Sequence, residues 1–210
     1  MAQIAATDRR TSTLDRSVWA ALLLLGFAGQ LAWAVENQFF NTFMYSEITP
    51  DPRPISWMVS ITALVSTLTA ILMGALSDRT RSRWGRRKPY LVAGYVIWGI
   101  FTALFPTSAL LKTVAMGIFM AILLDSLMTF FGSTANDAAF NAYVTDVTTL
   151  ENRGRVTGAL EIMKWLSILI VYGGAGLLID ALGYPMFFYL IGGLVFLVGL
   201  VTMPMIRDSS

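Results

Sequence analysis

The chain has 210 residues, of which 56% are hydrophobic and 13% charged, with a net charge of +2 and a mean hydropathy of +0.64. A soluble domain carries roughly a quarter charged positions, so this composition points to a polytopic membrane protein whose apolar runs suit spanning helices of about 20 residues. There is no cysteine and no histidine, which excludes disulfides, thiol chemistry and histidine-based metal sites or proton relays; no cofactor is expected.

A polar tail occupies residues 1–17, and six apolar spans follow at about 18–46, 55–76, 89–107, 113–146, 156–180 and 184–205. The expectation is an all-α membrane bundle over 18–206 with a short polar end at 207–210. The first run is too long for a signal-peptide core and has no cleavage site. Breakers separate the spans: TPDPRP at 49–54, Pro106, and Gly183-Tyr184-Pro185, which predicts a tight hairpin between the fifth and sixth. The fourth span is overlong, and its last turns are expected to project beyond the hydrocarbon.

In the first span, Gln30, Trp33, Glu36, Asn37 and Asn41 recur along one broad helix face. Carboxylates and amides bind hydroxyls, and an indole stacks on the apolar face of a pyranose-like ring, so these are candidate solute-binding residues. The competing use of such a stripe is polar contact between helices. Gly26 and Gly29 are expected at a close helix contact.

The second span ends in RTRSRWGRRK, six basic side chains in the ten residues 79–88. With six spans, both ends and the 77–88 and 147–155 loops share one side, carrying twelve Lys and Arg against Arg53 and Lys112 on the other. The positive-inside bias then places both termini in the cytoplasm of a cell inner or plasma membrane. A ten-residue loop against a bilayer offers no face long enough to track nucleic acid. Asp78 beside this run does nothing for topology. Its pattern Gly74-x-Leu76-x-Asp78 recurs as Gly176-x-Leu178-x-Asp180, which suggests two three-helix units, the second inverted, as in secondary transporters.

The fourth and fifth spans carry Asp125, Asp137, Glu161 and Lys164, costly inside a membrane unless they line a cavity or find partners. Asp125 falls roughly level with Glu36 and suits an outward vestibule. Asp137 lies nine residues, about 13 Å of helix, from Asp146, and Lys164 lies nine from Arg155. That matched depth predicts an Asp137–Lys164 pair, with Asn136 and Asn141 beside it as further solute ligands. Glu161, three residues before Lys164, is the alternative partner of the lysine.

The segment from Gly74 through Asp78 to Gly85, Arg86 and Arg87 resembles the loop between the second and third helices of the major facilitator superfamily. Its spacing, with Trp84 and Pro89-Tyr90, is similar to the version in the glycoside–pentoside–hexuronide:cation symporters, which include the melibiose carrier, and in related sucrose transporters. Asn136-Asp137 through Tyr143, Val144 and Asp146, then Glu151-Asn152-Arg153-Gly154-Arg155, resembles that family's fourth helix and following loop. The resemblance implies six helices in two inverted repeats (about 18–107 and 113–205), half of a twelve-helix fold. It also implies alternating-access symport of a sugar or similar polyhydroxylated solute. It assigns Gly74, Asp78, Arg86, Arg87, Asp146, Arg153 and Arg155 to a cytoplasmic gate, with Asp78 accepting from arginines on either side.

Asp137 occupies the position matching the coupling-cation aspartate of the melibiose carrier's fourth helix. The matching stretch of the second helix, 66–74, has no acid, and Leu31 stands near the sugar-binding aspartate of the first. Proton coupling or uncoupled transport is therefore expected over sodium. Alternating access needs two bundles, so a homodimer or a second six-helix half is the expected partner, besides lipid and the solute. A non-transporting scaffold, or a fragment of a twelve-helix carrier, is the alternative.

Overall fold

A computed structural model describes residues 14–207; Arg9, Arg10 and most of the polar tail, with 208–210 at the other end, lie outside the described residues. All regular structure among the described residues is helical. Five helices are long and apolar enough to cross a membrane: α1 Arg16–Ile48, α2 Pro52–Arg79, α3 Lys88–Leu110, α4 Val114–Val147 and α5 Arg153–Thr202.

Local signals start each helix where the chain supplies them. Asp15 accepts from Ser17 N at 3.4 Å at the head of α1. Asp51 accepts from Arg53 N at 3.0 Å, with Pro52 in the first turn of α2. Thr113 Oγ1 accepts from Met116 N at 3.3 Å at the head of α4. Each bond satisfies a backbone donor that the helix itself leaves open. In the basic loop Gly85 has φ 97° and donates to Ser82 O at 3.0 Å, a turn that disfavours any side chain.

The predicted fifth and sixth spans fall within one 50-residue element, α5. It is not one straight rod, because Gly183 has φ 80° and ψ 162°. The chain reverses there. Tyr184 packs edge-on against Phe43 near the end of α1, at 5.3 Å between ring centroids. Arg207 returns to pair with Asp15 at the start of α1, at 2.6 Å. Pro185 then lies in the first turn of the second arm, where its missing N–H is harmless.

Helix α1 is the hub. Of its most apolar stretch 61% is buried, against 11% for α2, so α1 is enclosed while α2 presents most of its side chains outward. Ser167 of α5 donates to Phe27 O at 3.0 Å, and Leu160 packs so close to Gly26 that an added Cβ would lie 2.8 Å from it. Where α3 meets the second arm of α5, a Cβ on Gly99 would lie 2.5 Å from Gly192 O. Only small residues permit backbones to approach so closely. At the end of α1 farther from Asp15, Phe40 stacks on Phe105 at 3.7 Å and meets Phe188 edge-on at 5.2 Å. These rings bolt α1, α3 and α5 together.

Candidate functional site

Two of the helices at the site are wound more loosely than an α-helix. α1 takes π-helical turns at Glu36–Phe40 and Met44–Ile48, and α4 at Ser133–Phe140. Such turns are uncommon and occur frequently at functional sites, since they re-aim side chains within an otherwise regular helix. Here they carry Glu36, Asn37, Asn136 and Asp137.

Between α1, α2 and α4 lies a cavity of about 450 Å³. The first helix lines it with the whole predicted stripe, Gln30, Trp33, Glu36, Asn37 and Asn41. The fourth adds Asp125, Thr129 and Asp137, and the second adds Val59, Thr62, Ala63 and Ser66. Asn37 and Asn41 spend one amide donor each on their own helix, bonding Trp33 O at 2.8 Å and Asn37 O at 3.0 Å. Trp33 leans on Trp98 of α3 at 5.0 Å and 52°, which fixes its ring. Its indole N–H is buried. Thr129 donates to Glu36 Oε1 at 2.9 Å, and Ser66 and Ser133 share a hydrogen bond at 2.9 Å that ties α2 to α4. The lining thus offers three carboxyls, several amides and hydroxyls, and one braced indole.

A smaller cavity of about 270 Å³ lies between α1, α4 and α5, lined by Asn141, Glu161 and Lys164 among others; Gln30 and Asp137 line both cavities. The expected Asp137–Lys164 pair is not formed. Lys164 Nζ reaches both oxygens of Glu161 at 3.3 Å, a local contact three residues back on its own helix that needs no chain crossing. Asp137 instead accepts from Asn136 Nδ2 at 3.2 Å. Asn136 is 4% exposed and receives the Tyr95 hydroxyl at 3.1 Å; the same hydroxyl also reaches Leu25 O at 2.8 Å. Asn136 is therefore committed to protein, while Asn141 is exposed and bonds Asp137 O at 3.0 Å.

At the Asp15 end of the bundle, Arg87 is 4% exposed and organises the charged loop. It donates to Ser77 Oγ at 2.6 Å, to Asp146 Oδ2 at 3.1 Å, and to Asp78. Arg86 also reaches Asp146 Oδ2 at 3.1 Å. Burial disfavours the Arg87 charge, but its hydrogen bonds to Asp146 and Asp78 outweigh that cost and hold the guanidinium above its ordinary value. The Arg87–Asp78 contact is the one expected, but the rest of the arrangement differs. Asp146, not Asp78, collects two arginines, and neither Arg153 nor Arg155 reaches Asp78. Arg153 turns to Thr148 Oγ1 at 3.4 Å, and Arg155 is exposed. Gly74 has open space around it.

Several members of the site were not read from the sequence. Thr129 stands one helical turn beyond Asp125, a spacing that places both on one face, and the hydroxyls of Thr62 and Ser66 follow the same rule on α2. The π-turns carry no comparable signal.

The family model described as Major Facilitator Superfamily matches residues 18–210. A 64-residue stretch is 33% identical to a protein of Synechocystis sp. (strain ATCC 27184 / PCC 6803 / Kazusa) described as an uncharacterized symporter; that stretch is 30% of this chain and 12% of the relative.

Proposed function

This chain belongs to the Major Facilitator Superfamily, whose members are membrane transporters rather than enzymes, and we propose that it carries a polyhydroxylated, sugar-like solute by alternating access coupled to protons. The observation that supports the solute class is the cavity of about 450 Å³, where Trp33, Asn37, Asn41 and Glu36 converge. A braced indole and neighbouring oxygen acceptors match the two faces of a sugar, one apolar and one rich in hydroxyls. Uncoupled transport is the fallback reading. Sodium is disfavoured because α2 supplies no carboxylate to this cavity, its polar lining being the hydroxyls of Thr62 and Ser66.

The two arms of α5 act as separate spans, making six, with the second three-helix unit an inverted copy of the first. In support, Asp78 stands near Arg87 at one end of the bundle, and Asp180 stands beside the Gly183 reversal near the other. The loop network of Asp78, Arg86, Arg87 and Asp146 works as the cytoplasmic gate, with both termini on that side of a cell membrane. A second six-helix unit, either another copy or another chain, closes the cavity and provides the partner bundle for rocking.

The test is uptake by the reconstituted protein in liposomes, using a panel of mono- and disaccharides and glycosides, with proton and sodium gradients imposed separately. We expect proton-driven accumulation of one member, with Trp33→Ala weakening its binding at least tenfold. Absence of binding and uptake across the panel would remove the sugar assignment. Accumulation driven by sodium alone would reverse the coupling assignment.

A further inference from the structure

Two carboxyls, Glu36 of α1 and Asp125 of α4, line one cavity, and none of the described residues lining it is cationic. Glu36 is 8% exposed and Asp125 3%. Thr129 serves Glu36 Oε1, but Glu36 Oε2 and Asp125 Oδ1 are buried with no hydrogen-bond donor. Thr129, one helical turn from Asp125 on α4, holds Glu36 Oε1 at 2.9 Å, which brings both side chains to the same part of the cavity they line. Two ionised carboxylates cannot bond each other, because each only accepts. One proton between them would give both stranded oxygens a partner.

We propose that Glu36 and Asp125 form a single proton-carrying site, one proton shared between Glu36 Oε2 and Asp125 Oδ1, opening on the cavity that takes the solute. Loading converts two negative charges into one, and release returns the proton to cavity water. A metal ion fits less well, since among the described residues no three acidic side chains converge to hold one. The surroundings leave the pair unbalanced. Asp137 on α4 is the other carboxyl lining the cavity, while α2 contributes no ionisable group there. On α3, Tyr95 gives its hydroxyl to Asn136, which in turn donates to Asp137, and on α5 Glu161 and Lys164 pair with each other in the neighbouring cavity. Asp137, lining both cavities, is the next carboxyl along the way to the second.

The site gives the proton coupling proposed above a location separate from Asp137, and rests on that reading only for the use made of the proton. Its test needs no solute. The full chain in lipid nanodiscs is titrated by infrared spectroscopy, following the protonated-carboxyl stretch and its shift in heavy water. At neutral pH we expect a band worth one carboxyl, lost in the Glu36→Gln/Asp125→Asn double variant and retained in Asp137→Asn. If the double variant does not fold, the Asp125→Asn and Glu36→Gln single variants serve, each displacing the band by replacing one side of the shared bond. A wild-type protein without the band, or a band untouched by these substitutions, overturns the site. A band abolished by sodium at constant pH overturns it in favour of a cation. Failure of sugar uptake with the band intact would remove the solute reading and leave the proton site standing.

Discussion

At the scale of single residues, Arg87 illustrates how one side chain secures a loop. Its planar fork reaches three partners in different directions, Ser77, Asp78 and Asp146, which an ammonium cannot reproduce at once. Asp78 is 61% exposed, so its share is screened, whereas Asp146 at 24% is better shielded. We predict that Arg87→Ala lowers stability by about 1–3 kcal/mol and that Arg87→Lys recovers only part of it, measured by thermal unfolding in detergent. Because the chain has no cysteine, a Ser82→Cys reporter gives a clean labelling rate, and Arg87→Ala should raise it. An unchanged rate and unchanged melting would leave the loop without a gating role. Thr129 offers a second check, since Thr129→Val strands Glu36 Oε1. That change should cost about 1–3 kcal/mol, seen in the same melting assay, and a neutral result would mean that Glu36 finds a donor elsewhere.

At the scale of elements, the bundle depends on places where no side chain fits. Gly183 holds φ 80° and ψ 162° at the reversal of α5, a region that side chains avoid at a cost of about 1–3 kcal/mol. We predict a loss of that size for Gly183→Ala, with Pro185→Ala milder because proline only presets the first turn of the second arm. Equal losses in the two would contradict the assignment of strain to Gly183. The contact of Gly99 with Gly192 is stricter. A Cβ on either would press on backbone, so Gly99→Leu should separate α3 from α5 and prevent recovery of a monodisperse protein. A well-behaved Gly99→Leu protein would show that this crossing is looser than described.

At the scale of the whole molecule, the polar cavity is bounded on only part of its rim. Asn37 and Gln38 on α1 are exposed, as are Trp57, Leu64, Leu68 and Ile71 on α2 and Ile162, Trp165 and Leu169 on α5. The apolar residues suit either lipid or protein, but the exposed amides are costly against hydrocarbon. That asymmetry is why we propose a second six-helix unit over the mouth of the cavity. We predict that native mass measurement of the intact protein from nanodiscs finds two such units together, and that Asn37→Leu weakens their association. A single stable unit, with Asn37 accessible to a water-soluble reagent in the bilayer, would refute the assembly.

Composition and hydropathy alone determined that this is a helical membrane protein, and breakers such as TPDPRP and Gly183-Tyr184-Pro185 located the ends of its helices. These are properties of the local chain, since transfer into lipid and backbone freedom depend on residues close in sequence. The polar stripe from Gln30 to Asn41 was legible for the same reason, helical spacing being enough to place it on one face. Only the tertiary structure decided what faced it. Matched depth suggested Asp137 with Lys164, yet depth fixes height along a helix and not the angle around it, and Lys164 turned to Glu161 instead. The bond from Thr129 on the fourth helix to Glu36 on the first depends on how the two helices are rotated against each other. No spacing within one helix encodes that rotation; it is set by packing against neighbours, where Gly29 yields room to Tyr95 and Asn136.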